Sequence, residues 1–278
     1  APEVRRPRVA VFAGNHGVAA RGVSAYPPEV TQQMVANFQS GGAAVNQLCE
    51  NADAELRVYE LDLDHPTADF TQGPAMAEDE CCRAMAYGMM AVEMGVQVIG
   101  LGEMGIGNST AAAALACALF GGEAKDWVGR GTGVDDEGVQ RKVAAVEAGL
   151  AANPAAKEDP FAALAAFGGY ELAAIAGAVL AARMARVPVA LDGYACTAAA
   201  AVLFKADRRA LDHCVVSHLS AEPGHGRLLD AIGKKPLLQF DMRLGEGSGA
   251  ALVIPILRGA AACLTGMATF AEAGVSRG

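Results

Sequence analysis

Short apolar runs, each closed by a glycine-rich or polar turn and followed by helical spacing, constrain this chain more than any other feature of its 278 residues. They lie at 8–13, 56–61, 96–101, 187–191, 214–216 and 236–241. Between them, apolar residues recur with helical periodicity over 28–39, up to Glu50, 78–94, 111–120, from Asp136 onward, 159–186 with a break at Gly168-Gly169, 195–204 and 250–263. Strands that alternate with helices predict an α/β fold: a doubly wound, mostly parallel sheet with helices on both faces, in three layers. No linker interrupts the pattern, so 1–278 reads as a single α/β domain. In open sheets of this kind ligands bind beyond the carboxyl ends of the strands. The turns there carry Asn15 and His16, Glu103, Asp192 and Gly193, Ser217 to Ser220, and Arg243 to Glu246, and they are expected to converge on one cleft.

Composition narrows the partner. Hydrophobic residues make up 53% of the chain, much of it Ala, which suits closely packed helices. No run of about eighteen strongly apolar residues escapes Gly, Pro or charge, so no membrane span is expected. The basic, proline-containing start has no apolar signal core, and the seven Cys show no regular pairing; both predict a cytoplasmic protein with reduced thiols. A net charge of −9 with 5% aromatic residues argues against a nucleic-acid surface. A small molecule is the expected partner. His218, Glu222 and His225 are the candidate metal ligands, but Pro223 and Gly224 break helical spacing between them, so no metal is expected. Gly-x-Ser-x-Gly is absent, which removes the nucleophile-elbow route.

Two turns carry a carboxylate among glycines. In Arg243-Leu244-Gly245-Glu246-Gly247-Ser248-Gly249-Ala250 a lone acid sits where the backbone is free to adopt unusual conformations. It reads equally as a helix N-terminus with a favourably placed acid and a Ser248 cap. In Gly102-Glu103-Met104-Gly105-Ile106-Gly107-Asn108-Ser109-Thr110 a glycine turn opens a helix, where exposed backbone N–H groups suit a phosphate, although the spacing is no dinucleotide fingerprint. Gly129-Arg130-Gly131-Thr132-Gly133 is a further glycine loop before the helix that bears Lys142. On spacing alone Lys142 is better read as a solvated helix residue than as a phosphate partner. Carboxylate chemistry beside phosphate-binding loops suits transfer of a phosphorylated sugar.

Taken together, Gly14-Asn15-His16-Gly17-Val18, Tyr26-Pro27-Pro28-Glu29-Val30-Thr31, the Gly102–Thr110 turn, Leu191-Asp192-Gly193, Ser217-His218-Leu219-Ser220-Ala221-Glu222 and the Arg243–Ala250 turn resemble the nicotinate-nucleotide:dimethylbenzimidazole phosphoribosyltransferases of cobalamin assembly. The resemblance spans nearly the whole chain in family order. It implies that nicotinate mononucleotide and 5,6-dimethylbenzimidazole are the substrates, that α-ribazole 5'-phosphate and nicotinate are the products, that no cofactor is needed, and that the protein is a homodimer. It implies Glu246 as general base and Glu103 as the second acid. Tyr26, Met34 and Leu244 would line the base pocket, while Gly105, Ile106, Gly107, Asn108, Lys142, Gly193 and Ser220 would hold phosphate and ribose. Family members usually carry Asp where this chain has Asn15, and usually begin with a helical segment before the first strand, part of a small helical subdomain to which the helix at about 250–273 would contribute and which would be incomplete here. Two alternatives stay open: transfer from the same donor to another acceptor, such as adenine or a phenolic compound, and a non-catalytic base- or nucleotide-binding protein.

Overall fold

The computed structural model describes residues 2–276. Six strands form one sheet: β1 (Pro7–Ala13), β2 (Glu55–Glu60), β3 (Val98–Met104), β4 (Val189–Leu191), β5 (Cys214–His218) and β6 (Pro236–Leu238), in the order β2-β1-β3-β4-β5-β6. Every pairing is parallel. The chain starts in the middle, adds β2 on one side, then returns to the other side of β1 for β3, so the direction of winding reverses between β1 and β3.

Alternation along the central strands explains why both faces are covered. Ala10 and Phe12 of β1, with Ile99 and Leu101 of β3, point into a large cluster with α3 (Glu78–Met89), α4 (Asn108–Phe120), α6 (Pro160–Phe167), α7 (Tyr170–Ala185) and α8 (Tyr194–Ala206). Val9, Val11 and Ala13, with Val98, face a smaller cluster with α1 (Val30–Gln39), α2 (Ala44–Asn51) and α10 (Ser248–Gly266). A strand buried on both faces has few polar positions to spare, which is why 9–13 reads as one unbroken apolar run; Arg8, also buried, is paired with Glu55 and Glu93. The remaining helices are α5 (Asp136–Ala152) and α9 (Pro223–Ile232).

Small residues set the helix spacing. A Cβ on Gly88 of α3 would lie 1.8 Å from the Ala174 carbonyl oxygen of α7, and one on Gly177 of α7 would lie 1.9 Å from that of Met85. The two backbones therefore touch, as the alanine-rich composition led one to expect. α4 and α8 are apolar nearly all round and almost wholly buried, the signature of interior helices.

Several boundaries move. β3 runs on to Met104, so Glu103 is a strand residue rather than part of the turn after it, and α3 stops at Met89, not 94. The run at 236–241 is not a buried strand: β6 is a three-residue edge strand with Leu237 at 44% exposure, because β6 pairs only with β5. By length and composition α10 is apolar enough to cross a membrane. Here its first turns, with Ala250, Ala251, Val253 and Ile254, are buried against the sheet, and Arg258 donates to the carbonyls of Val4 and Ala52.

Candidate active site

A cleft of about 600 Å³ opens at the carboxyl ends of β3, β4 and β5, closed on one side by the 23–34 segment and on another by the turn into α10. Tyr26, Met34, Glu103, Gly105, Ile106, Gly107, Asn108, Gly193, Ser220, Leu244 and Glu246 all line it. The turns after β3, β4, β5 and β6 thus meet as the alternation of strands and helices predicts, while Asn15 and His16, after β1, stay outside the lining. Of the candidate site residues Lys142 is the exception: it stands behind the wall.

Glu246 owes its position to the backbone. Gly245, Glu246 and Gly247 take φ values of 77°, 65° and 78°, and a non-glycine residue in that region costs about 1–2 kcal/mol. The turn is held from beneath by Asp192, whose carboxylate accepts from the backbone N–H of Gly247 (3.2 Å) and of Ala250 (3.0 Å). It also presses against β3: a Cβ on Gly102 would sit 2.3 Å from the Gly247 nitrogen, and one on Gly245 would sit 2.6 Å from Glu103 Oε1. The Glu246 side chain is 9% exposed. Burial, and secondarily the charge of Asp192, push its carboxyl up to about 7.

Glu103 is anchored instead. Asn108 Nδ2 donates to its Oε2. Burial first, then the neighbouring Asp192 and Glu171, hold its carboxyl well above the ordinary carboxylate range, and the Asn108 hydrogen bond only partly offsets this. Asp192 is itself raised by burial, against the pull of His218 and the backbone donors of α10.

The turn from β3 into α4 offers fewer free donors than its glycines suggest. Ile106 N–H is taken by Thr31 Oγ1 (3.1 Å), Asn108 N–H by the Gly105 carbonyl (3.1 Å) and Thr110 N–H by that of Gly107 (3.0 Å). His16 buttresses the turn from behind: a Cβ on Gly105 would lie 3.2 Å from His16 Nε2, which pairs with the buried Glu171 at 2.7 Å. Asn15 stays out of the cleft lining and donates through Nδ2 to the Leu63 carbonyl at 2.8 Å.

Lys142 corrects the solvated-helix reading, since it is 1% exposed. Its Nζ donates to Ser109 Oγ (3.0 Å) and to the Gly129 carbonyl (2.9 Å). Burial pulls its pKa below the ordinary lysine value, and the charge of Glu222 works against that. The polar wall continues through Ser220, whose N–H donates to His225 Nδ1 (2.9 Å). His225 Nε2 therefore carries the proton, donating to Thr197 Oγ1 (3.1 Å), which in turn donates to the Gly193 carbonyl (2.8 Å). Burial drives His225 down to about 3, consistent with a neutral ring that ties Ser220 to Gly193. The hydroxyl of Ser220 accepts from Glu222 N–H (3.2 Å) and keeps its own proton for another acceptor.

His218 and Glu222, which the sequence offers only as metal ligands, and Arg243, to which it assigns no role, also line the cleft. The metal set that the sequence offers, His218 with Glu222 and His225, does not assemble. His225 is spent on Ser220 and Thr197, and among the described residues no His, Cys, Asp and Glu group suited to a metal ion is found. Both ring nitrogens of His218 lack a hydrogen-bond partner, and Asp192 Oδ1 stands 3.7 Å from Nε2.

Glycine turns and two carboxyls of raised pKa meet in one cleft at the carboxyl ends of parallel strands, with a buried lysine behind its wall, an arrangement suited to a group-transfer enzyme. The chain matches the family model described as phosphoribosyltransferase over residues 1–275, and it belongs to that family. It is 59% identical over 277 residues to the nicotinate-nucleotide–dimethylbenzimidazole phosphoribosyltransferase of Cereibacter sphaeroides, covering 100% of this chain and 82% of that protein. The protein of the same name from Jannaschia sp. is 60% identical over 277 residues, with the same coverage. Among solved structures, the enzyme of that name from Thermus thermophilus superposes with a TM-score of 0.93 at 44% identity, covering 100% of this chain and 88% of that one.

Proposed function

We propose that this protein transfers the 5-phosphoribosyl group of nicotinate mononucleotide to 5,6-dimethylbenzimidazole, releasing nicotinate and forming α-ribazole 5'-phosphate. The names of its relatives support the reaction. The observation that carries the mechanism is Glu246: a mostly buried carboxyl on the cleft wall, with a pKa of about 7 that matches a general base at neutral pH.

The bond from C1' to the pyridinium nitrogen breaks, and its electrons neutralise that nitrogen, so the leaving group needs no proton. The bond from C1' to the benzimidazole nitrogen forms on the opposite face, inverting the centre. The ring N–H proton of the acceptor passes to Glu246. Glu103 faces the same space with a raised pKa, and positive charge developing on the ribosyl ring favours its ionised form, so that its charge grows as it is needed. Val30, Met34, Ile106 and Leu244 give the acceptor an apolar wall, while Gly193, Ser220 and the 105–108 turn, with Lys142 behind them, hold the phosphoribosyl group.

The protein also acts as a homodimer in this reading. The far half of α10 and the segment after it leave Leu264 76%, Met267 72% and Phe270 61% exposed, a patch that a second copy would cover. Sedimentation at micromolar concentration should give twice the chain mass; a monomer removes that part.

Incubation with both substrates tests the reaction. Release of nicotinate together with α-ribazole 5'-phosphate, resolved by chromatography, is the expected result. Nicotinate release without the α-nucleotide, or no turnover, overturns it.

A further inference from the structure

The loop Gly129-Arg130-Gly131-Thr132-Gly133 is held by three side chains from three separate parts of the fold. Lys142 Nζ of α5 donates to the Gly129 carbonyl at 2.9 Å. Glu222, at the start of α9, accepts from Gly131 N–H through Oε1 at 2.7 Å. Arg243, before the Glu246 turn, donates to the Gly131 carbonyl at 2.9 Å. Gly131 is thus gripped at both its N–H and its carbonyl, with φ at 54°. A Cβ there would lie 3.1 Å from Ser109 Oγ and 3.2 Å from Lys142 Nζ, so the loop lies directly against the lysine.

Two features of this cluster are unfinished. Lys142 is a buried ammonium with two hydrogen bonds, and no carboxylate lies within 4.0 Å among the described residues, leaving its third N–H for another acceptor. Glu222 is 7% exposed and lines the cleft, yet its Oε2 is buried without a partner. A charge that deep is held only if another charge or an ion balances it.

We infer that Glu222 is a positioning residue for the donor's phosphate: through Gly131 it sets the loop against Lys142, and its carboxylate balances the lysine's charge inside the fold. The inference rests on the reading of Lys142 as the phosphate partner. Glu222 stands far enough away to balance the lysine without occupying its third N–H. The other charged groups around the cluster have their own partners: Arg130 pairs with Asp136 and Arg141 with Gly22 and Asp135, while Arg243 is occupied by the Gly131 carbonyl of the loop itself. Of the charged neighbours, Glu222 is the one that opposes the effect of burial on Lys142.

The test is the KM for nicotinate mononucleotide between pH 7 and 9, where its phosphate stays ionised. Glu222→Gln preserves the side-chain oxygen that accepts from Gly131 but removes the charge, so more of Lys142 becomes neutral as pH rises. The expected result is a donor KM raised by about tenfold or more at pH 9, less at pH 7, with kcat changed by less than about threefold, as for loss of one charge-assisted hydrogen bond. In Lys142→Met the donor KM should be high at both pH values, with or without Glu222. If E222Q keeps the wild-type KM and pH dependence while K142M raises KM, the inference about Glu222 is wrong. If K142M leaves KM unchanged, the phosphate reading of Lys142 fails instead. Unfolding followed by emission of the single, buried Trp127 establishes that the variants fold. Should E222Q not fold, Gly131→Ala carries the test of the loop: its methyl crowds Lys142 Nζ, and a donor KM unchanged from wild type overturns the inference.

Discussion

The turn from β3 into α4 and the turn from β6 into α10 are built alike and do different work. Each brings a glutamate to the cleft and starts its helix from a glycine of positive φ, 99° at Gly107 and 78° at Gly247. They also touch, Gly102 against Gly247 and Glu103 against Gly245. In the first, Glu103 belongs to a strand and is tied to Asn108. In the second, Glu246 sits on left-handed backbone, without a side-chain hydrogen bond among the described residues, with Asp192 beneath the turn. The same residue type is a tethered carboxyl in one place and a carboxyl with a pKa of about 7 in the other, because backbone and hydrogen bonding differ.

The largest expected effect is at the untethered acid. Glu246→Gln should lower kcat by about a hundredfold or more with little change in donor KM, as for loss of a general base. Steady-state rates that fall by less than about tenfold would break the contrast. Glu103→Gln should cost less, about tenfold in kcat, since it removes charge beside the reacting centre but no proton acceptor; an effect equal to that of Glu246→Gln would make the two acids one functional unit. Gly102→Ala probes the contact between the turns. Its methyl must displace the Gly247 backbone, and thermal unfolding should report a loss of about 1–3 kcal/mol, with kcat falling alongside.

The pH profile sharpens the comparison further. Glu246 has to be ionised to accept a proton, so kcat/KM should fall about tenfold per pH unit below about 7 and level off above it. The charge of Asp192 favours protonated Glu246, so Asp192→Asn should move that limb toward lower pH; a limb that stays in place would assign the raised pKa to burial alone. The smallest effect is a control outside both turns. Gly226 in α9 has open space where a Cβ would go and an ordinary backbone, so Gly226→Ala should stabilise by about 0.5–1 kcal/mol and leave kcat unaltered.

Local pattern and motif order determined much of this protein. Apolar runs at 9–13 and 98–101 reveal central strands because burial on both faces leaves little room for polar residues there, and Gly168-Gly169 marks the break between α6 and α7 because paired glycines weaken a helix. The motifs likewise named Glu246 and Glu103 as candidates, since a carboxylate among glycines is legible one residue at a time. What tertiary structure alone decided depends on distance through space. The lysine at 142 looks solvated in a run of helix-forming residues, but packing against Ser109 and Gly129 buries it. Glu222 lies 91 residues from the glycine it holds, and Asp192 lies 55 and 58 residues from the two N–H groups it accepts from. The Glu246 pKa arises from the burial and the neighbouring charge that this convergence creates, and no window of sequence contains either.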